Sequence, residues 1–302
     1  VVVDAAGNAN TAATQSVQAF DRQAPEAPTV AAISGPTNDN TVAIAITAAT
    51  GSTVAVYANG VLLGNATEDG STGNFALTTA ALVDGNYSVT ATAADAVGNV
   101  SAAAAAQSVR VDTLAPVAPT ITSGAITNDT TPAITGTAEV GSTVKVYDGS
   151  TLIGTVVATD GTWSVTPTTA LTEGSRAITA TATDAAGNEG PAVAQTLVVD
   201  ATAPTVVITD NQGGTATGEI LYTFTFSEAV SGLSADDITV SGGTKGQLSQ
   251  ISDSVYQLSV MPSANSQGDV TVDVVGAVVV DAAGNANTAA TQSVQAFDRQ
   301  AP

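Results

Sequence analysis

The chain has no cysteine and no histidine, and among its 302 residues only six are basic, one is tryptophan and one is methionine. Each shortage closes off a class of chemistry. Without cysteine there is no disulfide framework and no thiol nucleophile, and without histidine the usual neutral-pH proton carrier and imidazole metal ligand are missing too. The 27 acidic residues leave a formal net charge of -21, spread evenly along the chain, so nucleic acid and anionic membrane surfaces are poor partners. No segment approaches the roughly 20 apolar residues that a spanning helix needs, and no leader-type segment is visible, so no membrane insertion is expected within these residues. Aromatic residues make up 4% of the chain although hydrophobic residues make up 44%. That balance predicts thin sheets around small cores, each module folding nearly alone.

Repetition is what the sequence does have. Residues 1–25 recur without a change as residues 278–302, which predicts a stretch of a longer tandem array with a period of 277 residues. Inside that period the dipeptide Ala-Pro closes an acidic linker at Ala24-Pro25, Ala115-Pro116, Ala203-Pro204 and Ala301-Pro302, at spacings of 91, 88 and 98 residues. Each spacing suits a β-sandwich of about 100 residues. The expected organisation is a C-terminal tail of a preceding module at 1–23, modules at 24–114, 115–202 and 203–300, and the start of another at 301–302.

Short runs of alternating apolar and polar residues, bounded by Gly, Asn and Asp, predict strands throughout. In the first module these are Thr41–Thr47, Thr53–Tyr57, Asn74–Leu77 and Tyr87–Ala93, and in the second Ala133–Gly136, Thr143–Tyr147, Thr162–Val165 and Ala177–Ala182. The two sets are in register. Val89, Ala91 and Ala93, like Ile178, Ala180 and Ala182, are expected to face a core, with the threonines between them on the other face. Phe75 and Trp163 share one strand position and are expected to anchor their cores. The third module alternates equally clearly over Tyr222–Val230, Ala235–Thr244, Tyr256–Val260 and Val270–Val274, but it is a different subtype. Asp236 and Asp237 do not form a catalytic carboxylate pair, since neighbours in extended chain point to opposite faces. The expected fold class is all-β: tandem β-sandwiches in an extended linear array.

The motifs in these modules carry a resemblance. Thr-Asn-Asp near the start, Gly-Ser-Thr-Val-x-Val-Tyr in the middle, Asp-x-x-Gly-Asn near the end and Val-Asp-x-x-Ala-Pro as the link make the first two modules similar to the bacterial Ig-like domains that tile giant surface adhesins. The third, with Phe-Thr-Phe-Ser-Glu-x-Val and Asp-Ala-Ala-Gly-Asn-x-Asn-Thr, resembles a related Ig-like type of biofilm-associated and type I secreted (RTX-type) adhesins. The resemblance implies that the tandem β-sandwiches are Ig-like, and it implies a bacterial cell-surface, extracellular location and a role in cell adhesion or biofilm formation. Two departures stand out: Arg176 replaces Tyr87, and Glu189-Gly190-Pro191 predicts a differently shaped loop in the second module.

Asp-Ala-(Ala/Val)-Gly-Asn occurs four times, beginning at Asp4, Asp95, Asp184 and Asp281, each followed 16 or 17 residues later by a linker aspartate, at Asp21, Asp112, Asp200 and Asp298. A hairpin turn accounts for the motif itself, with Asp accepting backbone hydrogen bonds and Gly taking positive φ. It does not account for the linker acids. Ig-like topology places the loop between the last two strands at the N-terminal end of its module, beside the linker that enters it, while the loop after the first strand lies beside the linker that leaves. The joint of the first and second modules then gathers Asn38, Asp39, Asp112, Asp184 and Asn188, and that of the second and third gathers Asn128, Asp129, Asp200, Asp281 and Asn285. The first joint holds Asp21, Asp95 and Asn99. Carboxylate and amide oxygens without nitrogen or sulfur ligands suit calcium, which takes 6 to 8 oxygens in flexible geometry. Solvated acidic loops are the alternative.

These features point to a non-catalytic extender, a calcium-stiffened stalk whose partners are the neighbouring modules of the same chain and which projects a distal binding domain. A glycan- or protein-binding Ig-like module is the second reading. Lateral self-association into an extracellular fibre is the third. No phosphate loop, nucleophile-base pair or paired catalytic carboxylate supports an enzyme.

Overall fold

A computed structural model describes residues 2–9 and 18–301. Two compact units emerge: residues 1–114 with the turn 185–188, and residues 115–184 with 189–302. In the first unit seven strands follow one another: β1 (Thr29–Val30), β2 (Ala43–Thr47), β3 (Thr53–Ala58), β4 (Val61–Glu68), β5 (Asn74–Thr78), β6 (Gly85–Ala94) and β7 (Gln107–Val111). They form one sheet in the order β1-β2-β5-β4-β3-β6-β7. Strand β4 makes this continuous. Its first part pairs with β3 and its last two residues, Thr67 and Glu68, pair with Ala76 and Phe75 of β5, so the chain rolls from one layer into the other.

In the second unit the first seven strands are β8 (Ile126–Thr127), β9 (Ile134–Thr137), β10 (Thr143–Asp148), β11 (Thr151–Val157), β12 (Thr162–Val165), β13 (Gly174–Thr183) and β14 (Val193–Val199); β9–β14 follow the order of β2–β7, but β8 pairs parallel with β14 where β1 pairs antiparallel with β2. They split into a five-stranded sheet, β11-β10-β13-β14-β8, and a two-stranded one, β12-β9. The remaining strands are β15 (Val206–Asp210), β16 (Ile220–Phe226), β17 (Ile238–Ser241), β18 (Gly243–Ser252), β19 (Val255–Pro262), β20 (Gln267–Val274) and β21 (Ser293–Asp298). They form the sheets β15-β16-β19-β18 and β17-β20-β21.

Period-two alternation decides what is inside. Val89, Ala91 and Ala93 on β6 and Ile178, Ala180 and Ala182 on β13 are all at most 1% exposed, as a strand with one face on a core requires. The largest core belongs to the third sandwich, where Tyr222, Phe224 and Phe226 from β16 meet Tyr256, Leu258 and Val260 from β19. There the Phe226 and Tyr256 rings meet edge to face, 6.0 Å apart, the arrangement that aromatic quadrupoles favour.

Phe75 and Trp163 are both buried, and the residues facing them explain why one site takes a larger ring. Phe75 lies opposite Ile46, whereas Trp163 lies opposite Gly136. A Cβ on Gly136 would run into the Thr120 carbonyl and the Trp163 ring. The pair keeps its volume by exchanging bulk across the strands. The Arg176 departure is absorbed similarly. Tyr87 donates its hydroxyl to the carbonyl of Val83 at 2.7 Å, and Arg176 reaches the equivalent position, Thr172 Oγ1, at 2.6 Å while forming an ion pair with Asp148.

Three expectations need correcting. Residues Ala235–Asp237 form a 3-10 turn, not the start of a strand. There the Asp237 carboxylate accepts from the Ser234 backbone (2.8 Å) and hydroxyl (2.6 Å). The loop at Glu189-Gly190 is not reshaped. The Thr183–Glu189 bridge and the bond from Gly190 N to Ala182 O repeat the Ala94–Val100 bridge and the bond from Ser101 N to Ala93 O. Gly190 is needed because the Pro116 carbonyl occupies the space of a Cβ. Finally, β1, β4, β7, β8, β11, β14, β15, most of β18 and β21 are strands outside the expected runs.

Trp163→Ala is expected to destabilise the second sandwich by about 3–5 kcal/mol, the usual cost of emptying a large aromatic site. Denaturant unfolding followed by far-UV circular dichroism checks this, and a loss under about 1 kcal/mol would contradict the anchoring role.

Candidate metal centre at the sandwich joints

Each Asp-Ala-x-Gly-Asn segment folds as a self-contained turn. In the third sandwich Asp281 Oδ1 accepts the backbone N–H groups of Ala283 (2.8 Å) and Asn285 (2.9 Å), and its Oδ2 accepts Asn285 Nδ2–H at 2.8 Å. Asp95 does the same with Val97, Gly98 and Asn99, and Asp4 with Ala6 and Asn8. The glycine sits at positive φ, +98° at Gly98 and +93° at Gly284, which a residue with a side chain rarely adopts. These bonds favour the ionised carboxylate. At Asp95 the Asn99 side chain is the leading cause of a lowered pKa. At Asp281 burial is the largest single influence and pushes upward, but the bonds from Asn285, Ala283 and Gly284 together outweigh it.

The turn then meets a linker. Asn285 Nδ2 donates to the main-chain carbonyl of Asp200 at 2.7 Å, Asn188 Nδ2 to that of Asp112 at 2.8 Å, and Asn99 Nδ2 to that of Asp21 at 3.3 Å. The upstream Thr-Asn-Asp loop also arrives: a Cβ on Gly284 would lie 3.7 Å from Asn128 Nδ2, and one on Gly187 would lie 3.5 Å from Asn38 Nδ2. Asp39 and Asp129 turn inward on their own loops. Each takes the backbone N–H and hydroxyl of a threonine two residues on, Thr41 at 2.8 and 2.7 Å and Thr131 at 2.7 and 3.1 Å.

The linker carboxylates differ from joint to joint. Asp112 Oδ2 pairs with Arg110 at 2.6 Å, an exposed contact worth little in stability but enough to occupy the oxygen. Asp21 Oδ1 caps the Gln23 N–H at 2.9 Å. Asp184 lies in the second unit. Asp200 has neither a basic neighbour two residues before it nor, among the described residues, an ion-pair partner. Instead its oxygen, one from Asp281 and one from Glu228 lie within 4.8 Å of one another. Asp281 is buried and the other two are half-buried. Burial first, and then the charges of Asp200 and Asp281, push the Glu228 pKa up.

Among the described residues this is the one group of three acids close enough to share an ion. The sequence reading anticipated Asp200 and Asp281 but not Glu228. A positional signal existed: two residues past the ends of β2, β9 and β16 stand Ala49, Glu139 and Glu228. In Asn285 and Asn99 the amide N–H groups face the turn carboxylate and the linker carbonyl.

Two families, each described as a bacterial Ig-like domain, match the chain, one over residues 29–113 and 120–201 and the other over 200–297. The chain belongs to the bacterial Ig-like domains. Such domains are typical of extracellular surface proteins, and among the described residues no helix is long and apolar enough to cross a membrane. No curated protein matches significantly. Solved structures similar to this chain include the fibronectin(III)-like modules of Clostridium thermocellum CbhA, at 19% identity and a TM-score of 0.38, covering 57% of this chain and 94% of that one. Invasin, a bacterial integrin-binding protein, is 18% identical with a TM-score of 0.33, over 82% of this chain and 56% of invasin. A Bacteroides ovatus protein, SGBP-B of the mixed-linkage glucan utilization locus, solved with a mixed-linkage heptasaccharide, is 18% identical with a TM-score of 0.21, over 93% of this chain and 71% of that one.

The folded chain holds the Glu228 proton more tightly than the unfolded chain does. Stability therefore falls as pH rises through the interval between the ordinary glutamate value and the raised one. In chelator, Glu228→Gln is expected to abolish that fall, leaving the variant more stable than the parent above the interval and equal to it below. Asp281 runs the other way: its bonds stabilise above the ordinary aspartate value and are lost as pH drops through the lowered one. Thermal melts across acidic to neutral pH test both, and an unchanged profile in Glu228→Gln would contradict the assignment.

Proposed function

We propose that the chain is a non-catalytic extender segment of a large bacterial surface adhesin, its sandwiches joined by calcium-braced linkers that hold a distal binding domain away from the cell. The observation that carries this reading is the convergence of Asp200, Glu228 and Asp281 within 4.8 Å, where the two matched domain types meet at residues 200–201. An all-oxygen donor set fits a hard cation with flexible coordination. Asp200, Glu228 and Asp281 would hold the ion. Bound calcium supplies charge neutralisation there, so a crowded linker becomes a cross-brace between neighbouring sandwiches.

Exact repetition of residues 1–25 at 278–302 supports a spacer, since a spacer gains length from every copy and needs no copy to diverge. The extracellular habit of bacterial Ig-like domains supports the same setting. Sites of about 10⁻⁴ to 10⁻³ M affinity are typical of extracellular calcium modules, so such a brace would fill on leaving the cell.

Calorimetric titration of the full chain with calcium is expected to show binding that weakens at least tenfold in Asp281→Asn and in Glu228→Gln, whereas Asp39→Asn, which alters an inward-facing cap, leaves that binding unchanged. Equal heats for all four proteins would overturn the calcium assignment.

A further inference from the structure

The linker aspartates are held by their main chains as well as by their charges, and from both sides. The N–H of Asp200 donates to the carbonyl of Thr127, in the upstream sandwich, at 2.9 Å. Its C=O accepts Asn285 Nδ2–H, from the downstream sandwich, at 2.7 Å. One peptide residue is thus gripped by both neighbours. Further along, Ala201 N and the Thr202 hydroxyl are bound by Glu173 at 3.1 Å, so the linker is already fastened upstream before the next sandwich begins.

The same arrangement recurs. Asp112 N donates to Thr37 O at 2.9 Å and Asp112 O accepts Asn188 Nδ2–H at 2.8 Å, while Thr113 N is bound by Asp84 at 3.0 Å. Asn99 reaches Asp21 O. A carboxamide suits this task because its single nitrogen carries two N–H groups. In Asn285 one goes to Asp281 Oδ2 and the other to Asp200 O; in Asn99 one goes to Asp95 Oδ2 and the other to Asp21 O. Neither an aspartate, which accepts only, nor a serine, with one donor, can make both bonds.

We propose that Asn285 is a positioning residue of the joint: a two-donor latch that holds the sandwich at 203–300 in register on the linker leaving the sandwich at 115–202, without any metal, with Asn99 doing the same at its own linker. The latch goes beyond the calcium reading and stands whether or not an ion binds. It sets which face of the downstream sandwich meets the linker, and a cation can then only tighten a geometry already chosen.

The chain has no cysteine, so spin labels can be placed at Thr155→Cys on β11 and Thr209→Cys on β15, both exposed, in the 302-residue chain. Pulsed dipolar distance measurements in chelator are expected to give a narrow distribution for the parent and one at least twice as wide for Asn285→Ala. Asn285→Asp, which keeps the side-chain shape but has no amide donor, is expected to broaden it equally, and is the variant to read if alanine abolishes the melting transition of the third sandwich. Asn99→Ala, at the other linker, leaves this distance unchanged. If folded Asn285→Asp keeps the parent width in chelator, the latch is wrong. If the Asn285 variants broaden but calcium changes no distribution, the latch stands and the calcium brace falls.

Discussion

Three carboxylates within 4.8 Å of one another repel, and among the described residues no cationic side chain pairs with any of them. Two unit charges at that distance repel by about 1 kcal/mol in water and by about 3–4 kcal/mol at an effective dielectric near 20. A joint carrying such a load must either be fastened by other bonds or be neutralised. The chain does the first through the main chain of Asp200, and its all-oxygen donor set is fit for the second. The joint at Asp112 meets the same demand more simply, with Arg110 on the carboxylate. The two linkers differ two positions before the aspartate, where Arg110 precedes Asp112 and Val198 precedes Asp200, and the third sandwich adds Glu228 and Asp281 at the second.

The sandwiches themselves ask little of this chemistry. Their cores are built from valine, alanine and isoleucine with one or a few rings each, and bulk is traded locally, Ile46 with Phe75 in one and Gly136 with Trp163 in the other. Small cores leave each module with a modest reserve of stability. At the joints it is polar bonds that tie linker to sandwich, as from Asn285 to Asp200 and from Asn188 to Asp112.

Most of the sheet structure was legible because it depends on period two alone. Val89, Ala91 and Ala93 announce a buried face whatever surrounds them. Strands β4, β11 and β18 did not announce themselves, since both their faces are partly exposed along their length and the alternation fades. The acidic joint was half legible. Asp200 and Asp281 follow from Ig-like topology, which sets the loop between the last two strands beside the linker that enters its module, but Glu228 approaches from a loop more than 50 residues away from Asp281 in sequence, and only the packing of β16 brings it there. Nor does a sequence tell which atom of an asparagine faces its neighbour. In Asn285 the nitrogen faces Asp281 and the Asp200 carbonyl.

Small-angle scattering from the full chain, in calcium and then in chelator, tests the central claim most directly. The account predicts a longer maximum dimension and a more rod-like profile in calcium, with loss of both on chelation. Superimposable profiles under the two conditions would contradict it.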